Sequence, residues 1–203
     1  MKFESITMEN FMRYKGRNHI EFSCDDVKNV TVVLGDNTVG KTTIAQAFRW
    51  GLYGALMANG TKSAGDFQLL NTDILEMMDA NSRAKVKVEI AAVDEEKRYI
   101  ITRETTYTRA FPKLESREFQ KKCAMRITEL EDMESYVEVD SNEIETLINE
   151  LFPKNLSHYF LFDGERWNDV SVGGVRENIK ESGHILTGLS AYREAKNHLK
   201  DMG

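Results

Sequence analysis

The spacing of apolar residues changes several times along the chain, and each change predicts a different kind of element. Residues 3–9 and 19–22 are typical of short β-strands, and the β-branched run at residues 30–34 predicts a buried central strand. From Lys41 the spacing becomes helical, and Gly54 is placed to end this helix. A strand, a glycine-bearing turn and a helix are therefore expected to follow one another directly.

Strict alternation of apolar and polar residues predicts an antiparallel sheet in the middle of the chain. Apolar residues occupy every second position from Val86 to Ala92, a polar turn follows at residues 94–97, and alternation resumes from Tyr99. A third strand is expected near residues 124–130. This part of the chain is predicted to form a β subdomain.

Two further helices are predicted after this sheet. Asp140 and Glu143 have the spacing of a capping box, and the helix that they open would end at Pro153. Its apolar stripe would consist of Ile144, Leu147, Ile148 and Leu151. Residues 183–203 form a polar helical pattern typical of the start of a coiled coil, with apolar residues at Ile185, Leu189, Tyr192 and Leu199.

Composition excludes several classes of protein. The 203 residues are 41% hydrophobic and 30% charged, which is ordinary for one soluble globular domain and excludes a disordered tail. A net charge of −6 gives no overall attraction to nucleic acid or to anionic membranes. Cys24 and Cys123 have no partners at ligand spacing, so neither a disulfide framework nor a zinc site is expected. This use of cysteine predicts a reducing, cytoplasmic compartment. No stretch approaches about 18 apolar residues, so no membrane span is expected.

Charge is nevertheless unevenly distributed. Residues 83–126 carry twelve basic and seven acidic side chains, whereas residues 129–152 carry nine acidic and no basic ones. Two interpretations stay open. Both runs can be solvated faces of a sheet and a helix, or the first can be a basic surface for DNA, with Lys121, Lys122 and Arg126 as candidates.

Residues 35–42 satisfy the phosphate-loop pattern G-x-x-x-x-G-K-[ST] between the predicted strand and helix. Glycines let backbone amides point at phosphate oxygens, and the helix amino terminus adds partial positive charge there. Lys41 would reach the β and γ phosphates, Thr42 would coordinate Mg²⁺, and Thr43 is placed for the α phosphate. The predicted nucleotide-binding residues are Gly35, Asn37, Thr38, Val39, Gly40, Lys41, Thr42 and Thr43. The alternative is a glycine turn with an incidental Lys-Thr pair.

Four segments in a fixed order carry a resemblance to a known superfamily. Residues 6–14, residues 20–22, the phosphate loop and residues 47–54 together resemble the amino-terminal half of SMC-like ABC ATPase heads. That superfamily includes RecN, the double-strand-break repair ATPase and the DNA phosphorothioation protein DndD, which the FDGE phrase at residues 162–165 resembles. The resemblance implies an α/β fold of the P-loop NTPase class: an ABC-type lobe with an antiparallel β subdomain beside a mixed sheet. Residues 1–182 would form this lobe, and residues 183–203 would start the coiled coil.

The resemblance also implies roles for two residues outside the loop. In the segment 159–166, Asp163 stands where relatives have the Q-loop glutamine. It would be a catalytic residue together with Lys41, and a Mg²⁺ ligand together with Thr42. The same segment also imitates a Walker B strand, with Glu165 two residues after Asp163, or it is a buried edge strand. Arg13 resembles a basic residue that relatives place near the nucleotide, or it is a lone surface arginine.

The function that the resemblance implies is ATP binding by one lobe of a DNA-associated ATPase. Hydrolysis would need the carboxy-terminal half of the same head, and a homodimer would form through ATP sandwiched between two heads. DNA and other DNA-modification or repair proteins are the further expected partners. The alternatives are a self-contained small phosphotransferase or GTPase, and a non-catalytic DNA-binding module.

Overall fold

The computed structural model describes residues 1–36, 39–56, 68–110, 115–154, 157 and 161. Within these residues the chain forms one six-stranded sheet and three helices. The strands are β1 (Lys2–Phe11), β2 (Tyr14–Glu21), β3 (Arg83–Asp94), β4 (Lys97–Ala110), β5 (Glu115–Glu129) and β6 (Asp132–Glu138). The helices are α1 (Lys41–Tyr53), α2 (Thr72–Met77) and α3 (Ile144–Leu151).

Every neighbouring pair of strands in the sheet is antiparallel, in the order β2-β1-β3-β4-β5-β6. Four of the five pairs are consecutive hairpins, and β1 pairs with β3 across the segment that contains α1 and α2. The predicted α/β fold with an antiparallel β subdomain is confirmed, as are the hairpin at residues 85–105 and the third strand beside it. The mixed sheet of the prediction is not among the elements of the described residues.

The core lies between one face of the sheet and the helix α1. Alternate residues of β1, β3, β4 and β5 face it and are fully buried or nearly so: Ile6, Met8, Val86, Val88, Ile90, Ile101 and Met125. The backbone of α1 approaches β3 closely at Gly51, where a Cβ would lie 2.6 Å from Cδ1 of Ile90. Trp50 is 5% exposed and packs on Phe11 with ring centroids 5.6 Å apart, so it is a core residue. These contacts fix the helix axis relative to the sheet.

The end of α1 follows the sequence prediction. Gly54 has φ 64°, and its amide donates to the carbonyl of Trp50 at 2.9 Å. Such a left-handed terminal residue favours glycine because it has no Cβ to clash. The helix is therefore terminated by its own sequence.

The predicted buried strand at residues 30–34 is wrong for this structure. These residues form no strand, and the apolar side chains of the run are between 43% and 87% exposed: Val30, Val32, Val33 and Leu34. A strand is stabilised by pairing with neighbours, and this run has no paired strand among the described residues. The apolar composition of the run favours burial, but among the described residues no surface covers it.

The helix after the sheet begins later than the capping-box pattern predicts. The helix α3 starts at Ile144, and its capping residue Glu143 makes no side-chain capping bond. Asp140 instead accepts a hydrogen bond from the amide of Asn142 at 2.9 Å, which closes a turn before the helix. The apolar stripe is confirmed in part, because Ile144 and Ile148 are buried whereas Leu147 and Leu151 are half-buried.

The chain divides into two compact units, Met1–Ser157 and His158–Gly203. All six strands and three helices belong to the first unit. Almost all of the second unit lies outside the described residues, including the predicted coiled-coil helix at residues 183–203. The predicted boundary after residue 182 stays a prediction. Within the described ranges, no helix combines the length and apolar composition that a membrane-spanning segment requires.

Candidate functional site

The phosphate-loop pattern lies at the amino terminus of α1. Gly40 precedes the helix with φ 114° and ψ 14°, a backbone conformation that residues with a Cβ rarely adopt. The first turn of α1 contains no acidic side chain. Because the first amides of a helix have no acceptor within the helix, this end carries partial positive charge that no carboxylate of the turn neutralises. Such an arrangement favours binding of an anion.

Lys41 lies across the mouth of the loop. Its Nζ donates to the carbonyl oxygens of Gly35 and Asp36, the latter at 2.6 Å. The ammonium group is therefore held at the loop by backbone oxygens. The Lys41 side chain is exposed, so phosphate oxygens can take the place of the two carbonyl acceptors without leaving a buried charge unpaired. The role of Lys41 at the β and γ phosphates stays a prediction.

The remaining described residues of the loop differ in exposure. Thr42 is exposed, whereas Thr43 is only 7% exposed. Gly35 and Val39 approach each other, since a Cβ on Gly35 would lie 2.7 Å from Cγ2 of Val39. Glycine at residue 35 is what permits this approach.

Three of the predicted site residues lie outside the described residues: Asn37, Thr38 and Asp163. Their roles stay predictions, and so does the choice between a Q-loop and a Walker B role for Asp163. Across the described residues, no group of three or more His, Cys, Asp or Glu side chains is arranged to hold a metal ion. The described residues of the loop fit a phosphate chain. They include one predicted Mg²⁺ ligand, Thr42, whereas the other, Asp163, lies outside the described residues.

The turn between β1 and β2 carries a second group of residues to the loop. Phe11 and Tyr14 are opposite each other in the register, and Met12 and Arg13 form the turn between them. The hydroxyl of Tyr14 donates to the carbonyl of Gly40 at 3.3 Å. Arg13 is exposed on this turn, so the turn carries it next to a residue that contacts the loop.

Sequence reasoning missed Tyr14, although it is adjacent to Arg13. Burial raises the pKa of the Tyr14 phenol, so at neutral pH this hydroxyl is protonated and can donate. The signal in the sequence was an aromatic residue in the segment on which the superfamily resemblance rests. Its contact with Gly40 joins residues 26 positions apart, which spacing along the chain does not predict.

The three DNA candidates of the basic stretch do not lie on one face of the sheet. Side chains of successive strand residues point to opposite faces, so Lys121 lies on one face of β5 and Lys122 and Arg126 lie on the other. Lys121 forms an ion pair with Glu118 at 2.7 Å. The guanidinium of Arg126 lies 5.2 Å from the centre of the Tyr136 ring. Of the three DNA candidates, only Lys122 and Arg126 share a face.

Two comparisons with known proteins found matches, and a third found none. A family model described as an AAA domain matches residues 5–202. A solved structure from work on ATP-driven dimerization and DNA-stimulated activation of SMC ATPases is 18% identical, with a TM-score of 0.41, over 89% of this chain and 92% of that chain. A search of curated proteins finds no match.

The family assignment rests on the family model alone. The match extends over nearly the whole chain and includes the loop, the helix α1, the strands β2 to β6 and β1 from residue 5. This family supports nucleotide binding and ATPase activity in general terms. From the match over residues 5–202, we conclude that the chain belongs to the AAA domain family.

Proposed function

We propose that this chain is the ATP-binding amino-terminal lobe of an SMC-like, DNA-associated ATPase. In this proposal Mg-ATP joins two heads into a homodimer, and hydrolysis requires the carboxy-terminal half of the head. The observation that carries the proposal is the phosphate loop at a helix amino terminus, with Lys41 at its mouth. The family assignment supports the nucleotide, and the order of the sequence segments supports the SMC-like class.

The exposed apolar run at residues 30–34 favours pairing with a strand that is not among the described residues. Burying side chains as large as Val32 and Leu34 stabilises a protein by about 1.5–3 kcal/mol each. A run of this kind leads directly into Gly35 of the loop. We therefore propose that a strand from the carboxy-terminal half of the head pairs with this run and orders the approach to the loop.

The proposed chemistry divides between this lobe and its partners. Lys41 and the amides at the start of α1 would hold the phosphates, and Thr42 and Asp163 would hold Mg²⁺. Arg13 would lie near the bound nucleotide. The group that positions the attacking water would come from the carboxy-terminal half or from a second head.

Nucleotide binding tests the proposal directly. Lys41→Ala removes a charged donor to phosphate, so we expect affinity for a fluorescent ATP analogue with Mg²⁺ to fall at least ~10-fold. Lys97→Ala is the matched control, since Lys97 is an exposed lysine at the start of β4, in an exposed ion pair with Glu129. Equal affinities of the wild-type chain and the Lys41→Ala variant would refute the proposal.

Turnover separates this proposal from a self-contained enzyme. The 203-residue chain alone should hydrolyse ATP little or not at all, even at saturating Mg-ATP. Robust hydrolysis that Asp163→Asn and Glu165→Gln abolish would instead indicate a Walker B pair within this chain. Preference for GTP over ATP would favour the GTPase alternative.

The DNA partner is proposed from the resemblance and from one face of the sheet. Lys122 and Arg126 lie four residues apart on the same face of β5, so they can contact DNA phosphates together. The double variant Lys122→Ala/Arg126→Ala should weaken DNA binding and reduce its salt dependence, whereas Lys121→Ala should change both little. Equal losses in both variants would contradict this choice of face.

A further inference from the structure

Tyr14 contacts the glycine that precedes α1. Its hydroxyl donates to the Gly40 carbonyl at 3.3 Å, and atoms of its phenol ring lie 3.4 Å from the position that a Cβ on Gly40 would occupy. We infer that Tyr14 is a positioning residue for phosphate binding, which holds the Gly40 carbonyl and thereby aims the Lys41 amide at a bound phosphate. This inference rests on the proposed nucleotide-binding function.

The step from the Gly40 carbonyl to the Lys41 amide follows from peptide geometry. A peptide group is planar and trans, so the Gly40 carbonyl and the Lys41 N–H point in opposite directions. The carbonyl also accepts from the amide of Ile44 at 3.3 Å, as the first hydrogen bond of the helix. It therefore points along the helix, and the Lys41 N–H points out of the amino-terminal end. Any group that holds the carbonyl also holds the direction of this amide.

Gly40 needs such a group because of its own conformation. Glycine has more backbone freedom than other residues, and this glycine makes no side-chain capping bond. A peptide that can rotate loses conformational entropy when it binds phosphate, and a contact that fixes it beforehand removes part of that cost. The ring of Tyr14 packs against the glycine, and its hydroxyl holds the carbonyl.

Tyr14 can act in this way because its own strand is firmly anchored. Phe11, opposite Tyr14 in the register, is fully buried. The turn between them is held from the segment before α2: the Met12 amide donates to the Leu69 carbonyl at 2.7 Å, and the Asn71 side chain donates to the Met12 carbonyl at 2.7 Å. The tyrosine is thus presented to the loop from a rigid part of the sheet.

The test compares two tyrosines whose hydroxyls both donate to backbone carbonyls. Tyr14→Phe removes the bond to Gly40, and Tyr53→Phe removes a bond of 3.1 Å to the carbonyl of Phe152 at the other end of α1. Affinity for a fluorescent ATP analogue with Mg²⁺ should fall about three- to tenfold in Tyr14→Phe, as expected for the loss of one hydrogen bond. It should fall further in Tyr14→Leu, which also removes the ring, and stay within about twofold in Tyr53→Phe.

Thermal unfolding separates positioning from a general loss of stability. Both phenylalanine variants should lower the unfolding temperature of the nucleotide-free chain by similar small amounts. Only the Tyr14 variants should reduce the increase in unfolding temperature that Mg-ATP produces. If Tyr14→Leu is unfolded at the assay temperature, Tyr14→Phe decides the question.

The outcomes distinguish this inference from the function on which it rests. If the wild-type chain binds no nucleotide, the proposed function fails and the inference fails with it. If the wild-type chain binds nucleotide and Lys41→Ala does not, but Tyr14→Phe binds within twofold of wild type, the inference alone is overturned. A loss in Tyr53→Phe as large as that in Tyr14→Phe would also overturn it.

Discussion

Arg103 ties the sheet to the carboxy-terminal end of the helix that carries the phosphate loop. Its Nε donates to the Gly51 carbonyl and its Nη2 to the Leu52 carbonyl, both at 3.1 Å, and Nη2 also contacts Glu145 at 2.9 Å. The arginine side chain is 14% exposed and that of Glu145 is 63% exposed. The two carbonyl bonds therefore lie in a more protected environment than the ion pair.

The variant Arg103→Met keeps most of the apolar stem and removes all three contacts. Hydrogen bonds from a charged donor contribute about 1.5–3 kcal/mol each, and a cation at a helix carboxy terminus contributes about 0.3–1 kcal/mol. Relief from burying the guanidinium offsets part of this sum. We expect the free energy of unfolding to fall by about 2–4 kcal/mol, which lowers the unfolding temperature of a chain of this length by about 4–16 °C.

Urea and thermal unfolding, followed by circular dichroism, measure this loss. Glu145→Gln is the matched control and should cost less than about 1 kcal/mol, because exposed ion pairs contribute little. Arg103→Lys should fall between wild type and Arg103→Met, since an ammonium group cannot reproduce the fork of a guanidinium. The reasoning is refuted if Arg103→Met is within about 0.5 kcal/mol of wild type, or if Glu145→Gln costs as much.

Two further predictions follow from the protonation of buried groups. Burial raises the pKa of the Cys123 thiol, so iodoacetamide at pH 8 should modify the exposed Cys24 first; mass spectrometry showing equal rates would contradict this. Burial raises the pKa of Tyr53 to about 12, above its ordinary value of about 10. The contribution of its neutral phenol to stability should be complete below pH 10 and be lost as the pH rises towards 12. Unfolding temperatures measured across this range should fall less steeply in Tyr53→Phe, and parallel curves would contradict the prediction.

Elements whose periodicity is set by burial within the described residues could be predicted from the sequence. The strands β3 and β4 alternate strictly because one face packs on α1, and α1 ends where Gly54 permits a left-handed residue. The strand β6 was missed because all of its residues are exposed, so it has no apolar face to produce alternation. The spacing of residues along the chain does not predict contacts between distant residues, such as the contact of Tyr14 with Gly40.

The candidate site was predictable to a similar extent. The phosphate-loop pattern located Gly40 and Lys41, since the chemistry of phosphate binding constrains residues that are neighbours in sequence. The run at residues 30–34 was correctly identified as apolar, but its exposure depends on what else is present to pair with it. Hydrophobicity describes the preference of a side chain for burial, whereas its actual burial depends on the residues that pack around it.

That run has a consequence for how the chain would respond to its surroundings. It is continuous with Gly35, so the same backbone would be ordered from one side by a pairing strand and from the other by a triphosphate. Two ligands that order one segment assist each other, and the factor by which either improves the affinity of the other must be equal. If a strand pairs with residues 30–34 as proposed, nucleotide affinity should rise with the concentration of the polypeptide that supplies it, and recruitment of that polypeptide should rise with nucleotide.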